Sequence, residues 1–142
     1  YEAPCHLAWS TGNRSALVRI PTPRGNSTRV ELRSPDPACN PYLAVGLVLA
    51  AGLDGIEHRM VLQAPINKNL FDPAEAAGLG LERLPSTLEE AVQAAQKSEF
   101  LHRVLPEELS HRYYEEELKR CAALKAAADP AEYERVHYFN AI

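Results

Sequence analysis

The first 60 residues hold six arginines, Arg14, Arg19, Arg24, Arg29, Arg33 and Arg59, and no lysine. A guanidinium presents a planar fork of N–H donors that matches carboxylate and phosphate oxygens bidentately, whereas an ammonium is only a point charge. A lysine-free basic cluster therefore points to recognition of an oxyanion. Within it, Thr28-Arg29-Val30-Glu31-Leu32-Arg33 alternates, which sets Arg29, Glu31 and Arg33 on one face of a strand and Val30 and Leu32 on the other. A carboxylate flanked by two guanidiniums suits a metal-bound phosphate, the acid ligating a hard cation while the arginines hold the anion. The same pattern also suits a solvated sheet face carrying cross-strand ion pairs.

The elements that must position these residues are short. Ser15–Ile20 and Thr28–Arg33 alternate as strands, joined through Pro21–Ser27, a run of turn residues short enough to connect antiparallel neighbours; Pro4–Trp9 is a third strand. At Asn40-Pro41 the pattern changes, since Asn caps a helix and Pro fits its first position, so a helix is expected over 41–57. Residues 59–85 show no sustained period and read as an irregular excursion. Ser86-Thr87-Leu88-Glu89 carries a capping-box signature and opens a helix to about Ser98; a long charged helix runs from Pro106 to Ala128; Asp129-Pro130 opens a last one. The expected fold is α+β, a small antiparallel sheet with the site residues on one face, backed by the Pro41 helix and followed by a mostly helical tail over 86–142. Residues 1–37 form the site-bearing strands.

Composition excludes several classes of function. The 142 residues are 46% hydrophobic and 24% charged, the profile of one globular domain. A net charge of −4 leaves no electrostatic footprint for nucleic acid or an anionic membrane. Cys5, Cys39 and Cys121 are odd in number and widely spaced, which fits reduced cytosolic thiols better than a disulfide framework or a zinc site. The most apolar stretch, Tyr42 to Ile56, falls short of the roughly 18 apolar residues that span a bilayer. No signal peptide opens the chain, so the sequons at Asn13 and Asn26 have no secretory context. Residue 1 is tyrosine and the chain opens as a strand in progress, so the sequence is expected to be a piece of a longer one.

Seven short strings, in order and in register, carry a resemblance. They are Tyr1-Glu2-Ala3-Pro4, Asn13-Arg14-Ser15-Ala16, Arg19-Ile20-Pro21, Arg29-Val30-Glu31-Leu32-Arg33, Pro35-Asp36-Pro37, Asn40-Pro41-Tyr42-Leu43 and Ala51-Gly52-Leu53-Asp54-Gly55-Ile56. Together they resemble the C-terminal part of the catalytic domain of type I glutamine synthetases. Residues 58–142 follow that family more loosely, through Lys68-Asn69-Leu70-Phe71 and Leu84–Ala91. The resemblance implies an ATP-dependent ligase that makes glutamine from glutamate and ammonia through a γ-glutamyl phosphate, with magnesium or manganese as cofactor. It implies that Glu2 lies on a flap and assists removal of a proton from bound ammonium, and that Arg14 and Arg19 contact ATP phosphates, Arg14 also near the transferred group. It implies further that Glu31 is a metal ligand, and that Arg33 holds the glutamate side-chain carboxylate and then the acyl phosphate.

The resemblance also implies a cytoplasmic dodecamer of two stacked hexameric rings, gripped by a C-terminal element matching Tyr133–Ile142. Some relatives are adenylylated on a tyrosine where this chain has Phe71, so that control is expected to be absent here. Where the family often has a basic nucleotide contact near the second strand, this chain departs from it and has Asn26, with Arg24 close by. Since further metal carboxylates and most of an ATP pocket belong to upstream segments of the family, the chain by itself is expected to be inactive. Two alternatives stand beside this reading: a γ-glutamyl ligase using another amine, which would keep Arg19, Glu31 and Arg33, and a non-enzymatic assembly relative, which would be expected to lose the glutamate or arginines of that face, although they are present here.

Overall fold

The computed structural model describes residues 3–139. They divide into two units. The first comprises residues up to Cys39 together with Ala51–Leu84, and the second comprises Asn40–Ala50 together with Pro85 onward.

In the first unit three strands of two residues each, β1 (Trp9–Ser10), β2 (Val18–Arg19) and β3 (Glu31–Leu32), form a sheet in the order β1-β2-β3. The strands are far shorter than the alternating runs suggest. The β2–β3 pair is antiparallel, as expected, with Arg19 opposite Glu31, but β1 runs parallel to β2, pairing Trp9 with Val18. The sheet is therefore mixed. The chain between β1 and β2 loops out instead of turning back tightly, and polar ties hold it to a distant segment. Trp9 Nε1 donates to the Gln63 carbonyl at 2.7 Å, Ser10 Oγ to Asn67 Oδ1 at 2.8 Å, and Asn13 Nδ2 to the carbonyls of Ile66 and Lys68. Asn13 Oδ1 accepts from the Ser15 hydroxyl at 2.7 Å, and that hydroxyl accepts from the Leu70 backbone N–H at 2.8 Å. With both ends of its amide engaged, Asn13 is a structural joint and not a glycan acceptor. Ala16, Leu17 and Leu70 make up the small apolar core under these ties. A second seam joins the chain start to the end of the unit, Leu7 N–H to the Glu82 carbonyl and Leu84 N–H to the Cys5 carbonyl, both at 2.8 Å.

Helix α1 (Pro41–Glu57) forms over the expected residues. Its first turn is closed by Asn40, whose Oδ1 accepts from the backbone N–H groups of Tyr42 and Leu43. Its end is closed by Arg59 in the left-handed region at φ 50°, with Arg59 N–H bonding the Ile56 carbonyl and Met60 N–H the Gly55 carbonyl. That is the six-to-one and five-to-two bonding of a Schellman turn, in the position glycine normally fills. None of the α1 residues is buried: Tyr42 is 86% exposed and Ile56 73%.

Local signals set the helical part of the second unit. Helix α3 (Leu88–Gln96) is capped by Thr87, which accepts from Glu90 N–H while the Glu90 carboxylate accepts from Ser86 N–H. Ser98 caps a further helix, α4 (Glu99–Val104), which the sequence reading left out. Helix α5 (Glu107–Ala126) packs on α3, burying Val92 and Tyr114. Asp129 caps α6 (Pro130–Glu134), and a π-helical turn, Arg135–Phe139, follows. In the irregular stretch of the first unit the only helix among the described residues is the four-residue α2 (Pro73–Ala76).

Candidate functional site

Register and alternation together build the site. Because Arg19 on β2 lies directly across from Glu31 on β3, their side chains stand on one face of the sheet. Arg19 grips Glu31 bidentately, Nε to Oε2 at 2.7 Å and Nη2 to Oε1 at 2.8 Å. Arg29, two residues before Glu31, donates its Nε to the same Oε1 at 2.8 Å and an Nη1 N–H to the Ser27 carbonyl. The side chain of Arg19 is 17% exposed, that of Glu31 26% and that of Arg29 48%, so the cluster is half-sunk and opens toward Arg29. The bonds from Arg19, with help from Arg29, hold the Glu31 carboxyl down to about 2, and the same carboxylate raises the already high pKa of Arg19. Two positive charges against one negative leave the cluster net cationic.

Arg33 continues the alternation beyond Glu31, and its backbone N–H bonds the Leu17 carbonyl at 3.0 Å, which fixes it to the sheet. Its Nη1 is buried without a hydrogen-bond partner among the described residues. A buried donor with no acceptor is costly. Arg14 is exposed in the turn after Asn13 and joins no ion pair or hydrogen bond among the described residues, so it stands apart from the cluster. Glu2 lies outside the described residues. Arg24 folds onto its own loop, Nη1 donating to the carbonyls of Pro21, Thr22 and Pro23, which makes it a loop brace. Strand alternation sets Arg29 on the face of Glu31, as one of the two guanidiniums expected to hold an anion, and its bond to Glu31 places it in the cluster.

The geometry of Glu31 limits what it could give a metal ion. A carboxylate has about four acceptor positions, and three N–H bonds from Arg19 and Arg29 occupy them unevenly, two at Oε1 and one at Oε2. One position remains at Oε2 of a carboxylate that Arg19 and Arg29 favour in its charged form, enough for a single coordination bond. Among the described residues no group of three or more His, Cys, Asp or Glu side chains could hold a metal ion, and Glu31 by itself can supply at most one ligand.

The chain matches the family described as glutamine synthetase, catalytic domain, over residues 1–136. It is 37% identical to a glutamine synthetase of Methanococcus voltae over 137 residues, covering 95% of this chain and 31% of that protein. It is 45% identical to a glutamine synthetase of Staphylococcus epidermidis over 115 residues, covering 80% of this chain and 26% of that protein. A solved structure of a GmaS/ADP complex superposes with a TM-score of 0.78 at 30% identity, covering 97% of this chain and 30% of that one. The chain thus spans between a quarter and a third of the length of these relatives. On these matches the chain belongs to the glutamine synthetase family, as the C-terminal part of its catalytic domain.

Proposed function

We propose that this chain supplies the phosphate-facing wall of an ATP-dependent ligase that forms glutamine from glutamate and ammonia. The observation that carries the reading is the Arg19–Glu31–Arg29 cluster, with Arg33 beside it, lying within the family match. The reaction must bring two anions together, because a glutamate carboxylate oxygen attacks the terminal phosphorus of ATP. ADP leaves, and ammonia then displaces phosphate from the γ-glutamyl phosphate. Arg19 and Arg14 bind phosphate oxygens, Arg29 adds donors at the open edge of the cluster, and Arg33 offers its unpartnered N–H groups to the glutamate side-chain carboxylate and then to the acyl phosphate. Glu31 contributes one ligand for magnesium or manganese, which when bound neutralises charge between the approaching anions. Glu2 assists removal of the proton from ammonium. The ADP in the complex of the solved relative supports a nucleotide as ligand.

The same reading carries a cytoplasmic dodecamer without adenylylation at Phe71. No helix among the described residues is long and apolar enough to cross a membrane. Because the chain holds one carboxylate of the metal site and a part of the phosphate contacts, it is silent alone: the purified chain with glutamate, ammonium, ATP and magnesium should release no phosphate and form no glutamine.

The test uses the full-length protein. It should form glutamine with ammonium, and Arg33→Ala should lower turnover on the order of 100- to 1,000-fold, the usual loss for one preorganised charge-stabilising donor. Wild-type turnover in Arg33→Ala at saturating substrates would refute the assignment. Faster amide formation with methylamine than with ammonium would move the acceptor to another amine.

A further inference from the structure

We propose that Glu31 is a built-in counter-anion that occupies the phosphate receptor until a ligand displaces it, so that anion binding and cation binding at this wall favour each other. The proposal rests on the phosphate reading above and adds a coupling to it. The donors that Glu31 engages, Nε and Nη2 of Arg19 and Nε of Arg29, include one of the two bidentate edges that the Arg19 guanidinium can offer a phosphate. Arg19 cannot offer that edge to a phosphate and to Glu31 at once. Glu31 has no other partner among the described residues. An anion that draws Arg19 away leaves Glu31 bonded to Arg29 alone and opens more of its carboxylate to a cation, and a cation on Glu31 Oε2 loosens the grip of Arg19 and favours an anion there. Thermodynamic linkage makes the two effects equal in size. A carboxylate that merely positioned Arg19 would behave in the opposite way, since its loss would weaken the anion site.

Titration calorimetry of tripolyphosphate into the full-length enzyme, with EDTA present to remove divalent cations, separates these cases without reading activity. Glu31→Gln should bind tripolyphosphate roughly tenfold more tightly than the wild type, within the ordinary range for coupled groups. Glu31→Asp keeps the charge but is too short to hold both arginines, and should also tighten binding; it carries the test alone if Glu31→Gln does not fold. Asp36→Asn removes an exposed acid whose Oδ1 accepts from the Ala38 N–H and which belongs to no ion pair of the cluster; it should leave affinity within about twofold of wild type. Unchanged or weaker binding in the Glu31 variants would overturn the proposal, as would tightening in Asp36→Asn equal to that in Glu31→Gln. Arg19→Gln should weaken tripolyphosphate binding. If it does not, the phosphate reading itself fails, an outcome distinct from failure of the coupling alone.

Discussion

In the strand-bearing unit, Trp9, Ser10, Asn13 and Ser15 bond to groups 53 to 57 residues away along the chain. In the helical unit, the capping bonds of Thr87, Glu90, Ser98 and Asp129 reach only three or four residues. One region holds its shape by long-range polar ties over a minimal apolar core, and the other by local signals and helix packing. The site stands in the first. Precise placement of Arg19 across from Glu31 comes from strands of only two residues, so the geometry depends on the ties that pin the loop between β1 and β2.

The largest effect should come from cutting one of those ties. Asn13→Ala removes the donor to the Ile66 and Lys68 carbonyls and the acceptor for Ser15. Each orphaned group costs about 1–3 kcal/mol, so a loss of about 3 kcal/mol is expected by urea unfolding, with faster hydrogen exchange at Leu70. Thr87→Ala tests the other region. Loss of that cap should cost about 1 kcal/mol and speed exchange at the start of α3 alone. Equal losses in the two variants, or exchange at Leu70 that responds to Thr87→Ala, would break the comparison.

A smaller effect concerns pH. The Glu31 carboxyl is moved from 4.5 to about 2, chiefly by its bonds from Arg19. Between those values the unfolded chain binds the extra proton, so stability falls as pH drops through the window and the contribution is complete above 4.5. Replacing Arg19 by Gln should flatten the slope of an acid titration over that range; an unchanged slope would show that the pair contributes nothing to folding. The smallest effect is expected at the exposed pair of Glu108 and Arg112, one turn apart on α5, where Arg112→Ala should change stability by less than about 0.5 kcal/mol.

The same contrast explains what could be read from the sequence. Helix starts were legible because Asn40, Thr87 and Asp129 act on their own neighbours, and the bounds of α1 follow. The shared face of Arg29, Glu31 and Arg33 was legible because strand alternation is local too. The parallel pairing of β1 with β2 was not, nor the shortness of the strands, because both depend on Ile66–Leu70 returning to Trp9–Ser15, a meeting that no nearby residue encodes. Helix α4 was missed for a different reason: Ser98 caps it directly after α3 ends at Gln96, so the two merge in a periodicity reading.

Helix α1 has a practical consequence. Val45, Val48, Leu49, Leu53 and Ile56 are all exposed on it, and Met60, Val61 and Leu62 extend the apolar surface past its end. Surfaces of this kind on a free chain drive self-association and clumping, whatever the strength of the fold beneath. For anyone expressing these 142 residues alone, colloidal behaviour rather than unfolding should set the usable concentration. A dye that brightens on greasy surfaces should light up with the native chain, before any denaturant is added.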